Sequence, residues 1–178
     1  AYGVEHQQRT MHFFERDLKE LSSHAYDMMQ DTNGYYWFAT TSGLKRYDGE
    51  EIVSIHSEKG SFLADAVTHQ LITVGDELWI SSLAGLARLD LKSYKLTVFQ
   101  HEKNDPSSLS HNNVRRVYSD SRQTVWVATA RGINRFDPVL GTFEKFYLPQ
   151  KLSDSGLGEA VISMAYDGRD RLWAASAH

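Results

Sequence analysis

The chain has 178 residues, 41% of them hydrophobic and 24% charged, with a formal net charge of −4. That is length enough for a sizeable core in an ordinary globular composition, and with no basic block it offers no footing for nucleic acid or an anionic membrane. No apolar run approaches the ~20 residues of a membrane span, and the absence of cysteine excludes disulfides and thiolate chemistry. The opening AYGVEHQQRT has no apolar signal-peptide core, so either a leader has been removed or the sequence is a piece of a longer one.

From the N-terminus, RTMHFFERD has the pattern of a closing strand, which predicts an outer strand over 11–20. The first complete unit, 24–56, runs AYDMMQD, Thr32-Asn33-Gly34, YYWFATT, Gly43, LKRYD, Gly49 and EIVSIH. Asn33-Gly34 predicts a type I′ hairpin, because both residues accept positive φ, and Asp48-Gly49 predicts the same further on. The second unit, 66–100, runs VTHQLITV, Gly75-Asp76, ELWISS, Gly85, LARLDL and KLTVFQ. The third, 113–148, runs VRRVYSD, SRQT, VWVATA, Arg131-Gly132, INRFD, a turn from Asp137 to Gly141, and TFEKFYL. Pro138 has the φ required at the second position of a type I turn. AVISMAYD and RLWAASA, within 160–178, read as the first two strands of a fourth unit. Period-2 alternation between turn signals is the mark of half-buried antiparallel strands.

Aligned, the units share a tryptophan followed by Gly-Leu or Gly-Ile and then Arg-x-Asp: WFATTSGLKRYD from Trp37, WISSLAGLARLD from Trp79 and WVATARGINRFD from Trp126, with a partial copy at Trp173. The tryptophans stand 42, 47 and 47 residues apart. A period in the forties built of short strands predicts an all-β fold, a β-propeller with blades of four antiparallel strands. Residues 1–178 then form a single partial propeller domain of about three and a half blades.

The residues from Asp31 to Asp48, D-x-x-G-x-x-W-x-x-T-x-x-G-L-x-R-Y-D, resemble the two-component regulator propeller repeat, and DPSSLSHNNVRRVYSD from Asp105 resembles that family's entry into a new blade. The second unit departs from the pattern with VGDELW, and the third with DSRQTVW, which lacks the glycine. The resemblance implies an extracytoplasmic, periplasmic sensor region of a bacterial inner-membrane signalling protein. In such proteins propellers precede an immunoglobulin-like domain and a membrane helix leading to a histidine kinase or a GGDEF diguanylate cyclase.

Residues repeated in every unit are expected to be scaffold. The tryptophans could stack on a sugar, but recurrence favours packing between blades. Gly43, Gly85 and Gly132 fit turns of unusual φ. Arg46, Arg88 and Arg135 could ring an anion, or could brace the surface by pairing with Asp48, Asp90 and Asp137 two residues on. Ligand-reading residues should instead differ between units and lie on the polar connections SEKGSFLAD, HEKNDPSSLSHNN and PQKLSDSGLGE, or in the turn before each Gly-Leu. Candidates are His101, Asn104, Asp105, His111, Asn112, Asn113 and Arg131, weighed against plain turn chemistry.

Catalysis has little support. The eight histidines show no metal-ligand spacing, and no nucleophile elbow, P-loop or dinucleotide fingerprint occurs. The sequence therefore predicts no catalytic residues, no metal and no cofactor. It predicts a non-catalytic ligand-sensing domain for an unidentified small molecule or oligosaccharide. The alternatives are a polysaccharide-active hydrolase or lyase and a pure protein-interaction scaffold like Trp-Asp repeat proteins. The interrupted fourth unit also predicts an open strand edge, hence self-association, for example a homodimer in which RTMHFFERD of one chain completes the last blade of another.

Overall fold

A computed structural model describes residues 24–55, 66–147, 160–168 and 171–176. Three four-stranded antiparallel sheets follow one another, each a meander in chain order. Blade 1 holds β1 (Ala25–Gln30), β2 (Tyr36–Thr40), β3 (Gly43–Tyr47) and β4 (Ile52–Ser54). Blade 2 holds β5 (Thr68–Val74), β6 (Glu77–Ser82), β7 (Gly85–Asp90) and β8 (Leu96–Phe99). Blade 3 holds β9 (Val114–Ser119), β10 (Val125–Thr129), β11 (Gly132–Asp137) and β12 (Thr142–Phe146). A pair, β13 (Val161–Tyr166) and β14 (Leu172–Ser176), forms the described part of blade 4. No helix occurs among the described residues, and the architecture is that of an open, partial propeller. The strand expected over 11–20 lies outside the described residues, as does the strand exchange expected from it.

The first strand of each sheet contacts the first strand of the next, β1 to β5, β5 to β9 and β9 to β13, so these are the inner strands. Alternation along the strands sends apolar side chains into the spaces between blades. One core lies between blades 1 and 2, where Trp37, Ala39 and Leu44 meet Leu71, Leu78, Ile80 and Leu89. The other lies between blades 2 and 3, where Trp79 and Leu86 meet Val117, Val125, Val127, Phe136 and Phe143. Trp79 stacks on Phe99 at 6.0 Å and meets Phe136 edge-on at 5.0 Å. Each tryptophan of these two cores thus packs toward the following blade. Trp37 and Trp79 are fully buried, whereas Trp173 is 60% exposed.

Side chains on the inner strands also stitch blades together. The Leu71 amide donates to Asp27 Oδ2 at 2.9 Å, and the Val117 amide donates to Gln70 Oε1 at 2.9 Å. Arg116 holds the equivalent place in blade 3. A guanidinium has no acceptor to offer the next strand.

The hairpin turns differ from those the dipeptides suggested. At Asn33-Gly34 only the glycine takes positive φ, at +91°. The loop is five residues long, closed by Gln30 opposite Tyr36 and by the Asp31 amide donating to the Tyr35 carbonyl at 2.9 Å. A type I′ turn would need positive φ at both residues. Blade 3 repeats this loop, with the Asp120 amide donating to the Thr124 carbonyl at 3.1 Å. Its fourth residue, in the place of Gly34, is Gln123 at φ +61°. An exposed glutamine held there bears left-handed strain, so Gln123→Gly is expected to raise stability by up to about 1 kcal/mol. The urea midpoint would show it, and an unchanged or lowered midpoint would mean the strain is relieved in another way.

Candidate functional site

Several of the repeated residues fasten turns of their own blade. Asp31 Oδ1 accepts the Asn33 and Tyr35 amides at 2.9 and 3.0 Å, while Oδ2 accepts the buried Trp37 indole N–H at 2.8 Å. Asp120 does the same for Arg122, Thr124 and Trp126, the indole lying at 3.1 Å. In blade 4 the Trp173 indole lies 3.5 Å from Asp167 Oδ2. Blade 2 has no such carboxylate. Its hairpin is one residue shorter and turns on only two residues, Val74 pairs directly with Glu77, and the buried Trp79 indole N–H has no partner among the described residues. A cleft of about 530 Å³ opens beside this short turn, between Val74, Trp79, Gln123, Phe136 and Pro138.

The second hairpin of each blade is tied by a hydroxyl. Thr40, Ser82 and Thr129 donate to the carbonyls of Gly43, Gly85 and Gly132 at 2.7, 2.8 and 3.1 Å. The arginine–aspartate pairing offered by the sequence spacing is replaced by two separate functions. Asp48, Asp90 and Asp137 each cap two amides of their own turn, such as Glu50 and Glu51 on Asp48 at 2.9 Å. These turn hydrogen bonds hold the Asp48 and Asp90 carboxyls below the ordinary value, led by the amides of Glu51 and Ser93 respectively. Arg88 and Arg135 turn instead to Glu77 and Glu144 at 3.1 and 2.6 Å. Arg46 lies over the rings of Tyr35 and Tyr94 at 4.6 and 5.6 Å.

The candidate ligand residues divide into two groups. Asp105 caps Ser107, whose hydroxyl and amide hold the carboxyl below its usual range, and the Phe143 amide donates to the Ser107 carbonyl, pinning this stretch to the outer strand β12. Asn104 is exposed beside it. The rest gather at the end of the blade where β9 begins. Asn112 Oδ1 accepts the His101 amide at 2.6 Å, and His101 Nδ1 meets the Leu109 carbonyl at 2.7 Å. His111 Nδ1 accepts the Asn113 amide at 2.9 Å, and the Asn113 carbonyl accepts Ala130, next to Arg131 on the β10–β11 turn. Burial, and then the charges of His101 and Arg131, hold the His111 imidazole below its ordinary value. Asn113 Oδ1 is buried without a partner among the described residues. Of this connection, Leu109 is core, and Ser110 bonds Asn134 and Thr129.

The structure also reveals a set that strand patterning missed. Each inner strand shifts register at its second residue, bypassing Tyr26 in β1, His69 in β5, Arg115 in β9 and Ile162 in β13. Such bulges re-aim a side chain out of the alternation. One scaffold position next to the axis thus carries phenol, imidazole, guanidinium and an aliphatic group in successive blades. The Tyr26 and His69 rings meet at 5.4 Å. The signal was present in the sequence: these residues stand 11, 10, 11 and 11 positions before their tryptophans and differ while the surrounding pattern repeats.

The fold and its repeated fasteners define the class: a β-propeller of tandem four-stranded repeats. Residues 108–131 match the family model described as two component regulator propeller. No curated protein matches the sequence. Among solved structures, the extracellular domain of BT3049 from B. thetaiotaomicron, described as a hybrid two component system, superposes with a TM-score of 0.71 at 23% identity, over 85% of this chain and 22% of that one. The extracellular domain of BT4673 from the same organism superposes with a TM-score of 0.55 at 22% identity, over 85% of this chain and 25% of that one. A streptogramin B lyase superposes with a TM-score of 0.58 at 15% identity, over 85% of this chain and 48% of that one. The chain therefore spans about a quarter or less of the extracellular domains it matches.

Proposed function

We propose that this chain is part of an extracytoplasmic, non-catalytic ligand-sensing region of a bacterial membrane-bound signalling protein, whose output is a histidine kinase or a diguanylate cyclase. The observation that carries this reading is the contrast within the propeller. Tryptophan, glycine and aspartate fasteners repeat from blade to blade, while the bulged inner positions Tyr26, His69, Arg115 and Ile162 all differ. A constant scaffold presenting variable groups at its axis is the arrangement a binding surface needs. The likeness to extracellular domains described as belonging to a two component system supports the receptor context. The likeness to a lyase is one of fold, and a fold hosts many functions. Conspicuous aspartates that a hydrolase could have used are instead engaged by turn amides: Asp31, Asp48, Asp90, Asp105, Asp120 and Asp137.

Signalling would follow from a ligand that binds one arrangement of the propellers better than another. A thermal-shift screen of the chain against oligosaccharides and small metabolites tests the binding step. The expected result is a saturable rise in Tm for one chemical class. If no compound shifts the melt while a partner protein binds stoichiometrically, the scaffold alternative replaces the sensor.

A further inference from the structure

The inner strands have an unusual charge distribution for a chain of net charge −4. The charged side chains on β1, β5, β9 and β13 are Asp27, Arg115 and Arg116, with His69 as the one imidazole. Asp27 is engaged, its two oxygens accepting the amides of Met28 and Leu71 at 2.9 Å each. Among the described residues no carboxylate neutralises the two arginines. Among the described residues Arg88, Arg135 and Arg171 sit against Glu77, Glu144 and Asp167, whereas neither Arg115 nor Arg116 has a carboxylate within ion-pair distance. Arg116 Nη1 donates to the Arg115 carbonyl, at 3.1 Å. Arg115 is half-buried, so its unpaired charge is partly withdrawn from water. It occupies the bulge beside His69 on the adjacent inner strand, and His69 in turn meets Tyr26.

We propose that Tyr26, His69, Arg115 and Arg116 form a binding site at the propeller axis for an oxyanion group, a carboxylate or sulfate, carried by a small ligand. Arg115 and Arg116 supply forked donors matched to a planar or tetrahedral oxyanion. The Tyr26 hydroxyl and a His69 ring nitrogen supply further donors, and the paired rings form an apolar ledge for the ligand body. The site deepens the sensing function proposed above and rests on it, since it names the chemistry that the variable inner positions would read.

The His69 imidazole reports on occupancy. Burial first, and then the positive charges of Arg116 and Arg115, hold it below its ordinary value. The ionisable groups on the elements packed against it are Tyr26 and Asp27 on β1 and the two arginines on β9, with Tyr118 toward the far end of β9, and Tyr36 on β2 and Glu77 on β6 at the far ends of their strands. An anion that offsets the arginine charges must raise the His69 pKa.

The test is an NMR titration of the His69 ring protons, assigned with H69Q, on the 178-residue chain with sodium sulfate, sodium citrate, sodium chloride and sucrose. Ionic strength is matched among the salts. The expected result is a saturable shift with sulfate or citrate beyond that with chloride, accompanied by an upward shift of the His69 titration. Affinity should fall at least ~10-fold in R115Q and R116Q, each of which removes a charged donor fork, and be unchanged in R135Q, whose arginine is already paired. Circular dichroism would confirm that the variants fold. Sulfate and citrate responding alike points to the oxyanion itself, and citrate alone to a carboxylate. Shifts no larger than those with chloride, or shifts that persist in R115Q and R116Q, overturn the site. Sensing by a neutral ligand then stands if the thermal screen finds one, and falls with the site if it does not.

Discussion

Gly132→Ala is expected to destabilise the chain by about 3 kcal/mol, the left-handed backbone accounting for roughly 1–2 and displacement of its neighbour for the rest. Gly132 begins β11 at φ +91°, and a Cβ there would stand 2.5 Å from the Phe146 carbonyl oxygen and 3.4 Å from Tyr147 Cδ1. The obstacle is backbone, and Phe146 is paired with Ile133 across the β11–β12 ladder, so it can retreat only by loosening that pairing. Gly141 is the internal control. It has φ +69° but nothing within 4 Å of the place a methyl group would take, so Gly141→Ala should cost only about 1 kcal/mol of backbone strain. Urea unfolding of the two variants side by side decides the matter. Equal losses would show that φ alone makes glycine necessary in these hairpins, and that the close approach to Phe146 contributes nothing.

The hairpin glycines belong to the part of the fold that was legible without coordinates. A tryptophan recurring at 42, 47 and 47 residues, with alternation and turn residues between, is a long-range pattern that survives local variation. What escaped was short-range. Asn33-Gly34 has the chemistry of a two-residue turn, yet Asp31 captures the loop first by taking two of its amides and an indole, giving five residues and one positive φ. The bulges at Tyr26, His69 and Arg115 escaped because one extra residue leaves apolar alternation nearly intact on both sides. Of the loop candidates, Asp105 caps its own turn and Asn112 ties together the two ends of the connection. His111, Asn113 and Arg131 do lie together, because the entry to β9 and the β10–β11 turn share one end of the blade. No pattern in a single unit could show that. Nor could it show that a hairpin shortened by one residue in blade 2 leaves the Trp79 indole without the acceptor its counterparts have.

The D-x5-W pair should be worth very different amounts in different blades, although its sequence is the same. Asp31→Ala is expected to cost about 2–4 kcal/mol, because it removes a charged acceptor from two turn amides and strands the N–H of a fully buried indole. Asp31→Asn should cost about half as much, since one amide oxygen can serve the turn or the indole but carries no charge. Asp167→Ala should cost less than about 1 kcal/mol, because Trp173 is 60% exposed and its indole, 3.5 Å from the carboxylate, can turn to water. Blade 2 supplies the converse experiment. Replacing Val74–Asp76 by the blade 1 sequence DTNG lengthens the hairpin by one residue, keeps Glu77 and the buried Leu78, and brings a carboxylate to Trp79, with an expected gain of about 1–2 kcal/mol. Urea midpoints of the four variants measure these differences. Equal costs for Asp31→Ala and Asp167→Ala would mean that the aspartate acts through turn geometry alone and that the buried indole bond adds nothing. A destabilised blade 2 graft would show that the short turn is matched to its own blade and that the unpartnered indole is well tolerated there.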